Sequence, residues 1–260
     1  MKLSTRARDA LHLNWAVPVG SLPEPPRPLR LQTLEVAGQP CAFVTAVLFW
    51  HEAERHSLWS MLHVPHPEMH LRFAVLDGEG LPGTFLWREL APFWAHAGLW
   101  LAGRTGRSAR FSYPRSLSEP GTESSWRWRV AGEGPLAATA RLGSGSAAPP
   151  FHSFDEVVAF FCRRRFYVGS RRGLERSDGS RVKGDPWPLT VEMEEDGLLR
   201  RAFGQATWPA LHSAFLCGEA SLVFELAGVP EIATLAPSAP KVATDPALLS
   251  QPPLARDRAA

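Results

Sequence analysis

Apolar and polar positions alternate with a period of two over several short stretches of the chain, which predicts a protein built mainly of strands. In Trp126–Val130, Trp126, Trp128 and Val130 share one face and Arg127 and Arg129 the other, a strand with one packed and one wet side. Leu136–Leu142 supplies a partner. Glu68–Leu76, Thr84–Leu90, Pro188–Glu194 and Glu219–Leu226 alternate in the same way. Cys41–Trp50 ("CAFVTAVLFW") is rich in β-branched and aromatic residues and predicts a strand buried on both faces.

Fewer stretches carry helical signals. Ala91–Gly103 combines helix formers with a closing glycine. Ser153 and Glu156 match a capping box ahead of a helix running to Phe166, with Arg163–Arg165 suited to its C-terminal pole. Trp208–Gly218 reads as a short helix, with Pro209 near its start and Gly218 at its stop. Trp15–Arg30 is proline-rich and therefore an extended entry segment, and Gly143–Pro150 is a loop. From Ala236 onward the composition is Pro, Ala and Ser with scattered charge, which predicts a disordered tail over 236–260. No internal repeat occurs. The pattern predicts a mostly β (α+β) fold in one domain spanning residues 8–235, with a few packed helices.

Composition narrows the function classes. The chain has 260 residues, 45% of them hydrophobic, ample for a buried core. A net charge of +2 argues against a dedicated nucleic-acid or membrane binder. Only Lys2, Lys183 and Lys241 are lysines, so amine catalysis has few candidates. Cys41, Cys162 and Cys217 are odd in number and widely spaced, as expected of reduced thiols in a cytoplasmic protein. The N-terminus lacks a signal-peptide core, and the longest apolar run is about half a membrane span.

Candidate chemistry concentrates in "HVPHPEMHLRFAVLD", His63–Asp77. On a strand His66, Glu68, His70 and Arg72 point one way, and Met69, Leu71, Phe73 and Val75 the other. The polar set faces either bulk water or a cavity. In a cavity Arg72 would grip a carboxylate and Glu68 would move a proton. Metal binding is not expected. His51 and His56 in "HEAERH" stand about 140° apart on a helix and on opposite faces of a strand, and His63, His66 and His70 converge only through a loop. Arg163–Lys183 holds seven arginines and one lysine, with too few aromatic residues among them for a single-strand binder, and reads as a helix end followed by a solvated loop.

Several stretches, in order, resemble the bacterial DUF2071 or YqjF-like family, related to the acetoacetate decarboxylase fold: "LHLNWAVP", "AFVTAVLFW", "PEMHLRFAV", "GLPGTFLWREL", "FFCRRRFYV" and "GDPWPL", spanning Leu11 to Thr190. The resemblance implies an antiparallel β-barrel or cone with helices packed outside and a small-molecule cavity. It implies that Glu68 and Arg72 are the recurring Glu and Arg of that strand, that His70 stands where relatives carry Asn, and that Trp187 is the tryptophan of a proline–tryptophan motif. Glu68, His70, Arg72 and Trp187 are thus the candidate ligand-binding residues, with Glu68 the candidate catalytic one. The Schiff-base lysine of the decarboxylases should fall in "LAGRTGRSARF", where arginines stand instead, and arginine cannot serve as the amine nucleophile. The expectation is a cavity for a small anionic molecule, without cofactor or metal, self-association left open. The alternatives are an enzyme using Glu68 as acid or base on a small carboxylate, and an interaction protein using its tryptophans and proline-rich ends.

Overall fold

A computed structural model describes residues 2–55, 65–95, 106–114, 125–144, 147–169, 176–177, 181–183 and 185–225. The strands are β1 (Lys2–Pro18), β2 (Arg30–Leu31), β3 (Thr33–Val36), β4 (Gln39–Arg55), β5 (His66–Leu76), β6 (Pro82–Ala91), β7 (Arg107–Ser108) and β8 (Arg110–Ser112). They continue with β9 (Ser125–Ala131), β10 (Pro135–Leu142), β11 (Tyr167–Gly169), β12 (Arg176–Ser177), β13 (Arg181–Lys183), β14 (Trp187–Glu195) and β15 (Ser213–Glu225). Two α-helices occur among the described residues, α1 (Phe154–Cys162) and α2 (Gly197–Phe203).

All these strands join one sheet, whose central path runs β11-β6-β5-β4-β1-β15-β14-β10-β9-β8. Pairing is antiparallel apart from β11 and β7, which each lie parallel to β6. The ends of the path curl toward each other, because β9 and β10 bury Trp128, Val130, Leu136 and Ala138 in the same core as Leu13, Val44 and Leu71 of β1, β4 and β5. The result is a nearly closed, mostly β barrel with few helices, as the alternation predicts. Its interior is filled by the inward residues of each strand, and α2 caps it with Leu198, Leu199, Ala202 and Phe203. Gly204 ends α2 in the left-handed conformation (φ 65°), the backbone state that a glycine adopts without a Cβ penalty.

Helix α1 lies on the outer side of β4, β5, β1 and β15. There Val157, Phe161 and Cys162 pack on Phe43, Val47, Phe49, Ala74, Phe215 and Cys217. Ser153 Oγ accepts from the Glu156 N–H at 3.2 Å, while Glu156 Oε2 accepts from the His152 N–H at 2.8 Å, one residue earlier than in a reciprocal box. The helix ends at Cys162 rather than Phe166, so Arg163–Arg165 lie just beyond it.

One expected element is replaced. Residues 213–218 of the expected helix at Trp208–Gly218 belong to strand β15, and 208–212 are irregular. Ala214 and Leu216 face the barrel core while Phe215 and Cys217 face α1. A strand apolar on both sides has no period of two to betray it. Trp15–Pro18 continues β1, as an extended entry segment should. Of the expected helix at Ala91–Gly103, Phe93–Ala95 form a 3-10 turn and 96–103 lie outside the described residues, as does the expected tail.

Candidate functional site

The polar face of β5 is buried. Cross-strand pairing sets Thr45 opposite Arg72, Val47 opposite His70, Phe49 opposite Glu68 and His51 opposite His66, all on the side toward α1. On the other flank β6 pairs Glu89 with His70 and Leu86 with Arg72, the register slipping by one residue between Leu71 and Arg72. That bulge keeps Glu89 on the His70 face while Trp87 stacks on Phe203, centroids 4.5 Å apart. Met69, Leu71 and Phe73 point into the barrel core, as the alternation predicts.

Glu68 is fully buried, 0% exposed, and is the hub of a hydrogen-bonded chain. Arg72 donates from Nη2 to His70 Nδ1 at 2.7 Å. An arginine only donates, so His70 Nδ1 carries a lone pair and its proton sits on Nε2. That Nε2–H donates to Glu68 Oε1 in a short contact. His51 Nδ1 lies 2.9 Å from Glu68 Oε2 and donates to it where that oxygen accepts. His66 Nε2 stands 3.7 Å from the same oxygen. The order of the chain, Arg72 to His70 to Glu68 from His51, thus fixes the tautomers of two histidines.

The Arg72 end opens on a small cavity under α1, of about 10 Å³, lined among others by His12, Thr45, Arg72, Thr84, Phe161 and Arg164. It is room for one water-sized group. His12 stacks on Phe215 at 4.5 Å, and burial, then the charge of Arg72, lowers its pKa from 6.5 to about 3. It is neutral at pH 7. Arg164 reaches in from the segment after α1, donates from Nη1 to Gln32 Oε1 at 2.5 Å and lies 4.1 Å over the Phe160 ring. Burial lowers its pKa to about 10, which leaves it charged. Arg72 lies 5.4 Å from the Tyr167 ring.

Among the described residues, three groups bring ligating atoms within 4.8 Å of one another: His51, His66 and Glu68; Glu68, His70 and Glu89; and His12, Cys162 and Cys217. Single-strand spacing, which gave no expectation of metal, is blind to the first two, since they form across β4, β5 and β6. Both Glu68 oxygens already accept hydrogen bonds from histidines.

Of the expected site residues, Glu68, His70 and Arg72 come together. Trp187 does not join them. It pairs across strands with Leu216 and packs, half-buried, against the barrel core, on the other side of the sheet. Lys183 ends β13, whose backbone pairs with β15 and not with β4, β5 or β6. Sequence reading missed His12, His51, Glu89 and Arg164. Their only signal was burial-prone context around a polar residue, and the contacts depend on strand register and on where α1 lands.

No protein-family model matches the chain, and no curated protein matches it. Solved structures do. An acetoacetate decarboxylase-like enzyme from Sphingomonas wittichii RW1 matches at 14% identity and TM-score 0.50, over 85% of this chain and 90% of that one. The enduracididine biosynthesis enzyme MppR, complexed with pyruvate, matches at 10% identity and TM-score 0.52, over 86% and 88%. An acetoacetate decarboxylase from Legionella pneumophila subsp. pneumophila matches at 13% identity and TM-score 0.50, over 84% of each chain. At such identities the likeness concerns the fold: this chain has the acetoacetate decarboxylase-like architecture.

Proposed function

We propose that this chain is a DUF2071 or YqjF-like member of the acetoacetate decarboxylase-like superfamily that binds a small anionic molecule under α1 without Schiff-base chemistry. One observation carries the reading. Arg72 is 8% exposed, lines the cavity, has no direct carboxylate partner among the described residues, and keeps a buried Nε without a hydrogen bond. A guanidinium in that state is a preformed carboxylate receptor, and His70 and Glu68 behind it fix its orientation. MppR, of the same fold, has been captured with pyruvate, a small carboxylate of the class that Arg72 suits. The near-neutral charge supports a small-molecule ligand over nucleic acid or membrane. No described helix is long and apolar enough to cross a membrane. The reduced-thiol composition supports a cytoplasmic setting.

A second reading keeps the same ligand and adds a reaction. Glu68 would act as acid or base toward a carboxylate substrate held by Arg72; Glu68 does not line the cavity and is joined to Arg72 only through His70, which favours binding without reaction. The segment "LAGRTGRSARF" carries no lysine, so neither reading uses an imine.

The test is to incubate the protein with acetoacetate or pyruvate and borohydride and to read the intact mass, beside thermal stability across a carboxylate series. The expected result is no adduct, with stabilisation by pyruvate that is lost in Arg72→Ala. An adduct mapping to Lys183 would replace this reading with a Schiff-base enzyme. Proton-transfer chemistry is read separately, as deuterium exchange at pyruvate C3 that stops in Glu68→Gln.

A further inference from the structure

We infer that Arg164 is a second anion anchor, and that the cavity under α1 grips a single carboxylate head group between two guanidiniums, Arg72 on β5 and Arg164 just past the helix. The inference rests on the proposed anion-binding reading and adds to it a residue on a different element and a ligand class.

Three observations support it. Arg72 and Arg164 line the same cavity, are 8% and 4% exposed, and form no salt bridge with a carboxylate among the described residues. Each turns an unpartnered nitrogen inside the protein, Arg72 Nε and Arg164 Nη2. Among the described residues no aspartate or glutamate lines the cavity. Two like charges held out of water around one space, with Glu68 joined to Arg72 only through His70, are costly, and an anion between them lowers that cost. His12, the third polar group with a buried unpartnered nitrogen on this cavity, is neutral and so adds no repulsion to a cation or anion there.

The size of the space selects the anion. About 10 Å³ holds one oxygen-sized group, so an anion enters with a single head-group oxygen, and a flat carboxylate reaches in more readily than a tetrahedral phosphate. The two guanidiniums line this space from different elements, so each can donate to the oxygen that enters. Phe161, Val47 and Ala74 also line it from the α1 side, so the rest of the ligand next to the head group is small or apolar.

The test uses the full chain and sodium acetate as the probe, at fixed ionic strength with sodium chloride alone as control. Acetate binding is followed by the guanidinium signals of ¹⁵N-labelled protein, and by thermal shift. In the wild type the Arg72 and Arg164 signals should move together with one apparent Kd, and inorganic phosphate should bind more weakly. Arg164→Met should weaken acetate about 10- to 100-fold, the range for losing one charge-assisted contact. Arg164→Lys, which keeps the charge but loses the fork, should weaken it about tenfold. Exposed Arg165→Ala should change nothing. If Arg164→Met does not fold, Arg164→Lys and the wild-type titration decide. Loss of binding in Arg72→Ala with full binding in the Arg164 variants overturns the second anchor and leaves the anion-binding reading standing. Phosphate binding more tightly than acetate overturns the carboxylate assignment. An acetate titration that moves neither arginine overturns both readings.

Discussion

Removing the Glu68 carboxylate tests whether the buried chain is held by its hub. Glu68→Ala deletes the acceptor of two imidazole donors, His51 Nδ1 and His70 Nε2, in a place with no access to water. Each such bond to an ionised group is worth about 1.5–3 kcal/mol. Relief of the carboxylate's own desolvation offsets part of the sum, leaving an expected loss of about 3–5 kcal/mol. For a chain of this size that is a fall in Tm of roughly 6–20 °C. Glu68→Gln separates acceptor from charge. His70 is pinned by Arg72 as an Nε2 donor, so the amide oxygen must face it. The amide N–H₂ then meets His51, which accommodates it by moving its proton to Nε2. The expected cost is about 1 kcal/mol. Urea unfolding of both variants, with m unchanged, supplies the numbers. A Glu68→Ala stability within about 0.5 kcal/mol of wild type would refute the hub, because two buried donors would then have lost their partner without penalty.

Two further predictions concern the same wall. His12 is protonated in the unfolded chain as pH falls through 6.5 but in the folded one only near 3, so between those values acid favours unfolding, with a slope approaching about 1.4 kcal/mol per pH unit; urea titrations at pH 4 and pH 7 should show the difference, and His12→Phe should shrink it. A Cβ at Gly83 would overlap the Phe166 ring behind β6, so Gly83→Ala should lose about 1–3 kcal/mol in the same assay, and an unchanged midpoint would mean the ring has room to turn.

The parts of the fold that were legible in the sequence are those where the two faces of a strand differ. Trp128 and Val130 are buried while Arg127 and Arg129 are exposed, so β9 declares itself, and β10 follows as its partner. The first half of strand β15 lies between the barrel core and α1, with Leu216 and Phe215 both fully buried on opposite sides and nothing to distinguish it from a buried helix, while its second half from Glu219 alternates and declares itself. Strand β1 sends Leu11, Leu13, Trp15 and Val17 alternately into the core, but the prolines that follow from Pro18 mask this period of two. Helix α2 carried its stop signal at Gly204 and its apolar face at Leu198, Leu199, Ala202 and Phe203, but at seven residues it is too short for periodicity to stand out. At the site, Glu68, His70 and Arg72 were legible because they lie two apart on one strand. His51 enters through the β4–β5 register, and Arg164 through the place where α1 ends. Both are tertiary facts with no local signature.

Register and cover together explain why this site exists where it does. A strand between a barrel core and an outer helix has no wet face, so every polar residue on its second side must find a partner inside the protein. On β5 the line from Glu68 to Arg72 meets that demand internally for most of its length: Glu68 takes donors from two histidines, and His70 spends one nitrogen on each neighbour. At the Arg72 end donors are left over. Arg72 gives one nitrogen to His70 and keeps a buried Nε without a hydrogen bond, Arg164 gives one to Gln32 and keeps Nη2, and both residues line the same small space. A fold selected for stability alone would fill that end with an apolar side chain, which is often neutral or stabilising in place of a buried charge. The packing of the barrel does not account for two cations with unspent donors at this end, and these are the donors the proposed anion would meet.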